Sequence, residues 1–303
     1  MFMNFQTLSF LAAIVVTSGI RADEFKVQRT ETNIVVRVVN PTDNTSRPLL
    51  TYVAIPGQRP FLHPVYDASG KHVLTQDRPD DHPWQHGIFT GFHQINGFNY
   101  WKEDQGRQRL VRVSDLRADD NRVSWKSLIE LVDPQGSIVL EEENVITIHA
   151  PESTNAYLID FSLLLRAKEK DVQFGKFFVG GLSVRMPWAK SNPRQTHLNS
   201  NGLIGRAGEQ KRAAWCTVEQ PFGDNTLGIA ILDHPTNINH PPSWRVDEQG
   251  LINPNISGLA AWSLPKGQSR QFHYRILIYR GAANKDQLDA RFREFSASRP
   301  PSK

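Results

Sequence analysis

Apolar and polar positions alternate with a period of two in the stretches 34–39, 123–132, 138–148 and 156–165. Successive side chains of an extended chain point to opposite faces, so this pattern predicts strands that bury one face and wet the other. Shorter apolar runs at 50–55, 172–178, 182–186, 213–218, 227–232 and 272–279 predict further strands. Turn formers separate them, as at Asp133-Pro134-Gln135-Gly136, Asn201-Gly202, Asp224-Asn225 and Pro265-Lys266-Gly267. Only the end of the chain changes period. There Leu288, Phe292 and Phe295 recur at helical spacing behind Asn284, a capping residue, with Gln287 three positions on.

Many strands, one terminal helix and no alternation of strand with helix predict an all-β fold, a large antiparallel β-sandwich with a short C-terminal helix. Gly180-Gly181 belongs to no phosphate-binding loop pattern and predicts a bulge or bend. No linker divides the chain, so residues 23–296 read as one domain and 297–303, with Pro300-Pro301, as a disordered tail. Ahead of the domain, the apolar run 8–16 followed by Thr17-Ser18-Gly19 and Ala22 reads as an export signal occupying residues 1–22. That run is too short for a membrane span, and no later stretch is long and apolar enough. The mature chain is therefore expected to be periplasmic or secreted, without a membrane span.

Composition narrows the partners. The net charge of +4 comes from Lys and Arg scattered among acidic residues, and no basic run or nucleic-acid motif occurs. A nucleic-acid partner is not expected. The single cysteine, Cys216, allows no intramolecular disulfide, and between Trp215 and Thr217 it reads as a small buried hydrophobe. The run Glu141-Glu142-Glu143, inside a strand pattern, reads as a solvated sheet edge.

Candidate chemistry concentrates in one region. Of the ten histidines, His63, His72, His82, His86 and His93 lie between Phe61 and Trp101, interleaved with Tyr66, Trp84, Phe89, Phe92, Phe98 and Tyr100. This density exceeds what core packing needs and predicts an aromatic pocket with a few convergent polar groups. His63, His82, His234 and His240 each precede proline, which drives the backbone out of the helical region and toward loops or strand ends. His82 and His86, in the stretch "DDHPWQHGIF", therefore do not share a helix face as in helical zinc motifs. The tripeptide Asp-His-Pro occurs twice, at Asp81-His82-Pro83 and Asp233-His234-Pro235. The two loops would form one site if they meet at one end of the sandwich.

For acid/base catalysis, His82, His86 or His234 would move the proton, Asp81 or Asp233 would aim the imidazole, and Arg185 would hold an oxyanion or carboxylate. Arg185 reads equally well as half of an ion pair. Substrate contacts are expected from His63, Trp84, Asn96, Tyr100, Trp101, Asp233, His240 and Trp244. A divalent metal is the one cofactor left open, with ligands drawn from His63, His82, His86, His234 and His240 and from Asp81 or Asp233, although no spacing is diagnostic of a particular metal. No metal ligand is assigned.

The stretches "RPFLHPVYDASGKHVLTQD", "DHPWQHGIFTGFHQINGFNYW", "GGLSVRMP", "RAAWCTV", "GIAILDHPTNINHPPSWRV" and "LPKGQSRQFHYRILIYRG" run in order over most of the mature chain. Together they resemble an exported bacterial family labelled "methane oxygenase PmoA-like". Where members of that family often carry a further His or Arg between the two motif histidines, Trp84-Gln85 stand here. The oxygenase label is at odds with the hydropathy, since a membrane methane monooxygenase subunit needs several apolar spans. What the resemblance implies is a galactose-mutarotase-like supersandwich in a carbohydrate-degrading setting. In that fold a concave sheet lined with His, Glu and aromatic residues receives a sugar ring.

The expected function is thus an exported carbohydrate-active enzyme, a hydrolase, lyase or epimerase, using loop histidines for proton transfer on a sugar. The alternatives are a non-catalytic carbohydrate-binding protein of the envelope and a metal-dependent oxidoreductase as the family label suggests. No pair of glycosidase carboxylates stands out in the sequence.

Overall fold

The computed structural model describes residues 23–188 and 196–298. The expected export signal and nearly all of the expected tail lie outside the described residues. In chain order the strands are β1 (Glu24–Arg29), β2 (Asn33–Val39), β3 (Ser46–Val53), β4 (Phe61–Val65), β5 (Ile88–Gly91), β6 (Arg107–Ala118), β7 (Arg122–Val132), β8 (Ile138–His149) and β9 (Ala156–Arg166). They continue with β10 (Val172–Phe174), β11 (Gly181–Arg185), β12 (Thr196–Asn199), β13 (Trp215–Phe222), β14 (Asn225–Asp233), β15 (Ser243–Val246), β16 (Leu251–Asn255), β17 (Trp262–Leu264) and β18 (Ser269–Arg280), followed by the helix α1 (Lys285–Ala297).

Two eight-stranded sheets result, the first ordered β1-β2-β3-β4-β5-β11-β16-β15 and the second β12-β13-β14-β18-β9-β8-β7-β6. All pairings are antiparallel, and β10 and β17 form a separate short ribbon. Alternation decides which side chains meet between the sheets. Ile34, Val36 and Val38 of β2 join Trp125, Ile129 and Leu131 of β7 and Ile146 and Ile148 of β8 in one continuous buried cluster. This is the antiparallel sandwich that the period-two pattern predicts.

Polar groups also cross the interface. The Tyr52 hydroxyl donates to Ser127 Oγ at 2.8 Å. Glu142, fully buried, accepts from Thr90 of β5 at 2.5 Å and from Gln108 and Asn144 at 2.9 and 2.7 Å. Burial pushes its carboxyl up, against those three hydrogen bonds and the attraction of Arg59. The reading of the three glutamates as a solvated edge is therefore corrected: β8 is an interior strand, its middle glutamate faces the core, and only Glu141 and Glu143 turn outward, to Lys168 and Arg166.

The two outer faces are finished differently. On the second sheet, α1 lays Leu288 and Phe295 on Trp215, Ala230, Leu232 and Leu277. Its N-terminus is capped as expected, Asn284 Oδ1 accepting the Gln287 amide at 3.0 Å. On the first sheet the outward residues Phe61, Phe89 and Leu251 gather with Trp101 and Val179 into a small aromatic cluster with no helix over it. Cys216 is buried, as its neighbours predict. Among the described residues no helix is long and apolar enough to cross a membrane.

Candidate functional site

The stretch Asp80 to Gly87 forms the loop leading into β5. It closes on itself, the His82 amide donating to Pro79 and the Gln85 amide to His82, both at 2.9 Å. Gly87 is needed for its exit: an added Cβ would lie 2.2 Å from the Leu62 carbonyl oxygen, so no larger residue passes between β4 and β11. The loop therefore fixes His82 and His86 on either side of Trp84 and Gln85, on the outer face of the first sheet.

Arg185 is the anchor. It ends β11, and its neighbour Val184 points into the sandwich while Arg185 points outward, yet its side chain is fully buried. Its guanidinium donates to Gln85 Oε1 at 2.9 Å and to both oxygens of Asp81 at 3.1 Å. Asp81 Oδ2 in turn stands 3.0 Å from His82 Nδ1, a close contact that is not aligned as a hydrogen bond. Burial pushes the Asp81 carboxyl up, but the contact with His82 and the Arg185 guanidinium outweigh it and hold it below the usual carboxylate range.

His82 opens onto a cavity of about 360 Å³, within the range of roughly 300 to 1,000 Å³ that small-molecule sites occupy. Trp84, Trp101, Phe177 and Phe178 supply its aromatic walls, and His93, Asn99, Lys102, Arg245 and Asp247 its polar ones. His93 stacks on Phe177 with ring centroids 3.5 Å apart, and Lys102 Nζ sits 4.6 Å above the Trp84 ring. Trp84 Nε1 and His93 Nδ1 are buried without a hydrogen-bond partner among the described residues. Buried polar atoms are normally satisfied, so these two call for a polar partner, a water or a ligand. Burial keeps His93 below the usual imidazole range.

Opposite in character to Asp81 is Asp247. Burial pushes its carboxyl up, and Arg245 at 3.3 Å and the Leu251 amide only partly oppose this. Two acids of one site held apart in this way is the pattern from which acid and base roles arise.

The other expected site residues fall elsewhere. His86 is buried, stacks on Phe61 at 4.2 Å, bonds Asp77 Oδ1 through Nδ1 at 2.5 Å, and lines a different cavity, with Arg59, Arg78 and Arg107. His63 lies nearby, its Nδ1 2.9 Å from Thr75 Oγ1. Asn96 serves a turn, accepting the Gln173 amide at 2.8 Å. Tyr100 and Trp244 are corrected from substrate contacts to core members: both are buried, and Trp244 Nε1 is spent on the Ala213 carbonyl at 2.7 Å.

The second Asp-His-Pro loop does not join the first. It follows β14 on the other sheet, where Asp233 bonds Asn237 at 2.7 Å and His240 Nδ1 at 2.6 Å, and His240 stacks on Phe292 of α1. His234 lines a cavity against α1 that shares no residue with the His82 cavity. The expectation of one joint site is corrected on this ground: the second loop packs His234 and His240 on Phe295 and Phe292 of α1, away from the His82 cavity. Among the described residues no group of three or more His, Cys, Asp or Glu side chains is placed to hold a metal ion, so the open metal reading finds no ligand set there.

Arg245 and Asp247 were missed in the sequence, although a signal was present. They alternate with Trp244 and Val246, two inward residues, so both face outward on β15 and its continuation.

Comparison with known proteins bears on most of the chain. A family model matches residues 42–293. The chain belongs to DUF6807, a family of unknown function. No curated protein matches the sequence. Among solved structures, the chain is similar to an aldose 1-epimerase candidate of Escherichia coli K12 at 9% identity and TM-score 0.38, covering 86% of this chain and 100% of that one. It is similar to the Slr1438 protein of Synechocystis sp. PCC 6803 at 9% identity and TM-score 0.35, covering 92% and 100%. The galactosidase domain of the α-galactosidase-sucrose kinase AgaSK matches at 9% identity and TM-score 0.35 over 85% of this chain, which spans 41% of that protein's chain.

Proposed function

We propose that this DUF6807 protein is a carbohydrate-active enzyme, of hydrolase, lyase or epimerase type, that moves a proton at a sugar bound on the outer face of the first sheet. One observation carries the reading: His82, backed by Asp81 and the buried Arg185, opens onto an aromatic-walled cavity that also holds Asp247. Trp84 and Trp101 offer flat apolar faces to the C–H side of a sugar ring. Asn99, Lys102 and the unpartnered Trp84 Nε1 and His93 Nδ1 serve its hydroxyls.

In this reading Asp81, 3.0 Å from Nδ1, is close enough to aim the His82 ring when a sugar binds, leaving Nε2 to take a proton from the sugar or, once charged, to give one back. Asp247, kept more protonated than an exposed aspartate, supplies the complementary acid. We also read the chain as exported through its N-terminal apolar run, and the sandwich as galactose-mutarotase-like, in keeping with the motif resemblance to the PmoA-like proteins.

The test is a screen of free hexoses, glycosides and oxidised sugars with the purified chain and its His82→Ala and Trp84→Ala variants. Turnover lost in His82→Ala while binding persists supports the enzyme. The same walls and unpartnered nitrogens also suit a module that only binds sugar. In that case no turnover occurs, binding survives His82→Ala, and Trp84→Ala abolishes it.

A further inference from the structure

A second cavity, of about 280 Å³, opens beside β4 and β6 and shares no residue with the His82 cavity. We propose that it is a binding site for a sugar acid, a molecule carrying a carboxylate and free hydroxyls together. The walls decide the class of ligand. Arg59, Arg78 and Arg107 bring three guanidinium groups, against one carboxylate, Glu103. Glu103 is already engaged, 3.5 Å from Arg59 and accepting the Gln108 amide at 3.1 Å. Arg78 and Arg107 are exposed, and neither makes a close ion pair among the described residues. Both can turn to an acid group, Arg78 while also facing the charge of Asp77.

Arg59 is held rigidly. It donates to the carbonyls of Trp84 and Trp101 at 3.2 and 3.1 Å and also to that of Tyr100, while its Nε is buried with no partner among the described residues. The cavity presents an acceptor too. His86 binds Asp77 through Nδ1, which places its ring proton there and leaves Nε2 bare; burial keeps the imidazole neutral more strongly than the Asp77 contact charges it. Gln108, whose amide turns inward to Thr90 and Glu142 at 3.3 and 2.9 Å, is closed to a ligand. A ligand must therefore bring acceptors for the guanidinium groups and a donor for His86 Nε2. A neutral sugar lacks the charge, and a bare carboxylate lacks the hydroxyl donors.

This site rests on different residues from the proposed enzyme site, so either can fail alone. The test is isothermal titration of the purified full chain with D-galacturonate and D-gluconate, and with D-galactose, acetate and inorganic phosphate as comparison probes. At least one sugar acid is expected to bind saturably, and at least tenfold more tightly than galactose, acetate or phosphate. Arg78→Ala and Arg107→Ala, both exposed positions, are each expected to weaken it about tenfold without moving Tm, whereas Trp84→Ala leaves it in place. Four results would overturn the proposal: no saturable binding of either acid, equal binding of galactose, tighter binding of phosphate, or binding that falls with Trp84→Ala and survives both arginine changes.

Discussion

The two Asp-His-Pro loops start from the same three residues and end as different objects. At Asp81-His82 the carboxylate meets a buried arginine on one side and a partly exposed imidazole on the other, and the imidazole looks into an aromatic cavity. At Asp233-His234 the carboxylate is buried between Asn237 and His240, and Asn237 also donates to the His273 carbonyl at 2.8 Å. The first aspartate is held below its usual range; burial pushes the second above it, against the hydrogen bonds from His240 and Asn237. The chemistry of such a tripeptide lies in what its neighbours leave open. The first loop turns its imidazole to a cavity, and the second ties β14 to the loop beneath α1.

Breaking the first loop should show in rate. His82→Ala is expected to cost about 10²- to 10⁴-fold in turnover of a responsive sugar, the usual worth of a positioned acid or base, with little change in Tm. Breaking the second should show in stability. Asp233→Ala strands the Asn237 amide and the His240 ring nitrogen and is expected to cost about 3 kcal/mol in urea unfolding, with turnover per folded molecule retained. Trp84→Ala removes one face of the ligand cavity and should raise KM about fivefold to tenfold, a loss of about 1 kcal/mol, while kcat changes less. Asn284→Ala, which uncaps the helix over the second loop, is expected to lower stability by about 1 kcal/mol and to leave the sugar site unaffected.

The smallest effect separates the two aspartates by sign. Asp81 titrates lower in the folded state than in the unfolded chain, so its contribution is present above the ordinary carboxylate range and fades as pH falls through its folded value. Asp233 titrates higher when folded, so it costs stability when ionised and that cost is relieved as pH falls. Asp81→Asn should make the acid loss of stability shallower, by less than about 1 kcal/mol because its side chain is 25% exposed, and Asp233→Asn should make it steeper. Urea unfolding between pH 3 and 6, a window of about three units around the carboxylate range, measures both.

The long strands were legible because each has one wet face. The pattern at β2, β7, β8 and β9 names them within a residue or two. In β5 and β11 every residue is buried, on both faces, which erases the alternation. Although β11 was found as an apolar run, β5 was missed. In β6 the register shifts twice, between Leu110 and Arg112 and between Ser114 and Arg117, so its arginines fall out of phase and the strand reads as a charged loop.

The site followed the same logic. His82, Trp84 and Trp101 were visible through local density, since all come from one stretch. Arg245 and Asp247 reach the cavity from β15 and its end, at the edge of the sheet, through the pairing β11-β16-β15, a neighbourhood created by topology. His86, four residues from His82 in sequence, lines a different cavity, next to Gly87, whose backbone lies close against β4.

The most direct test of the central claim compares turnover by the unaltered chain, His82→Ala and His234→Ala on free hexoses and glycosides, followed by proton NMR in deuterated water. The account predicts a reaction in the unaltered protein that persists in His234→Ala and falls at least about a hundredfold in His82→Ala. A reaction undiminished in His82→Ala, or lost equally in both variants, would contradict it.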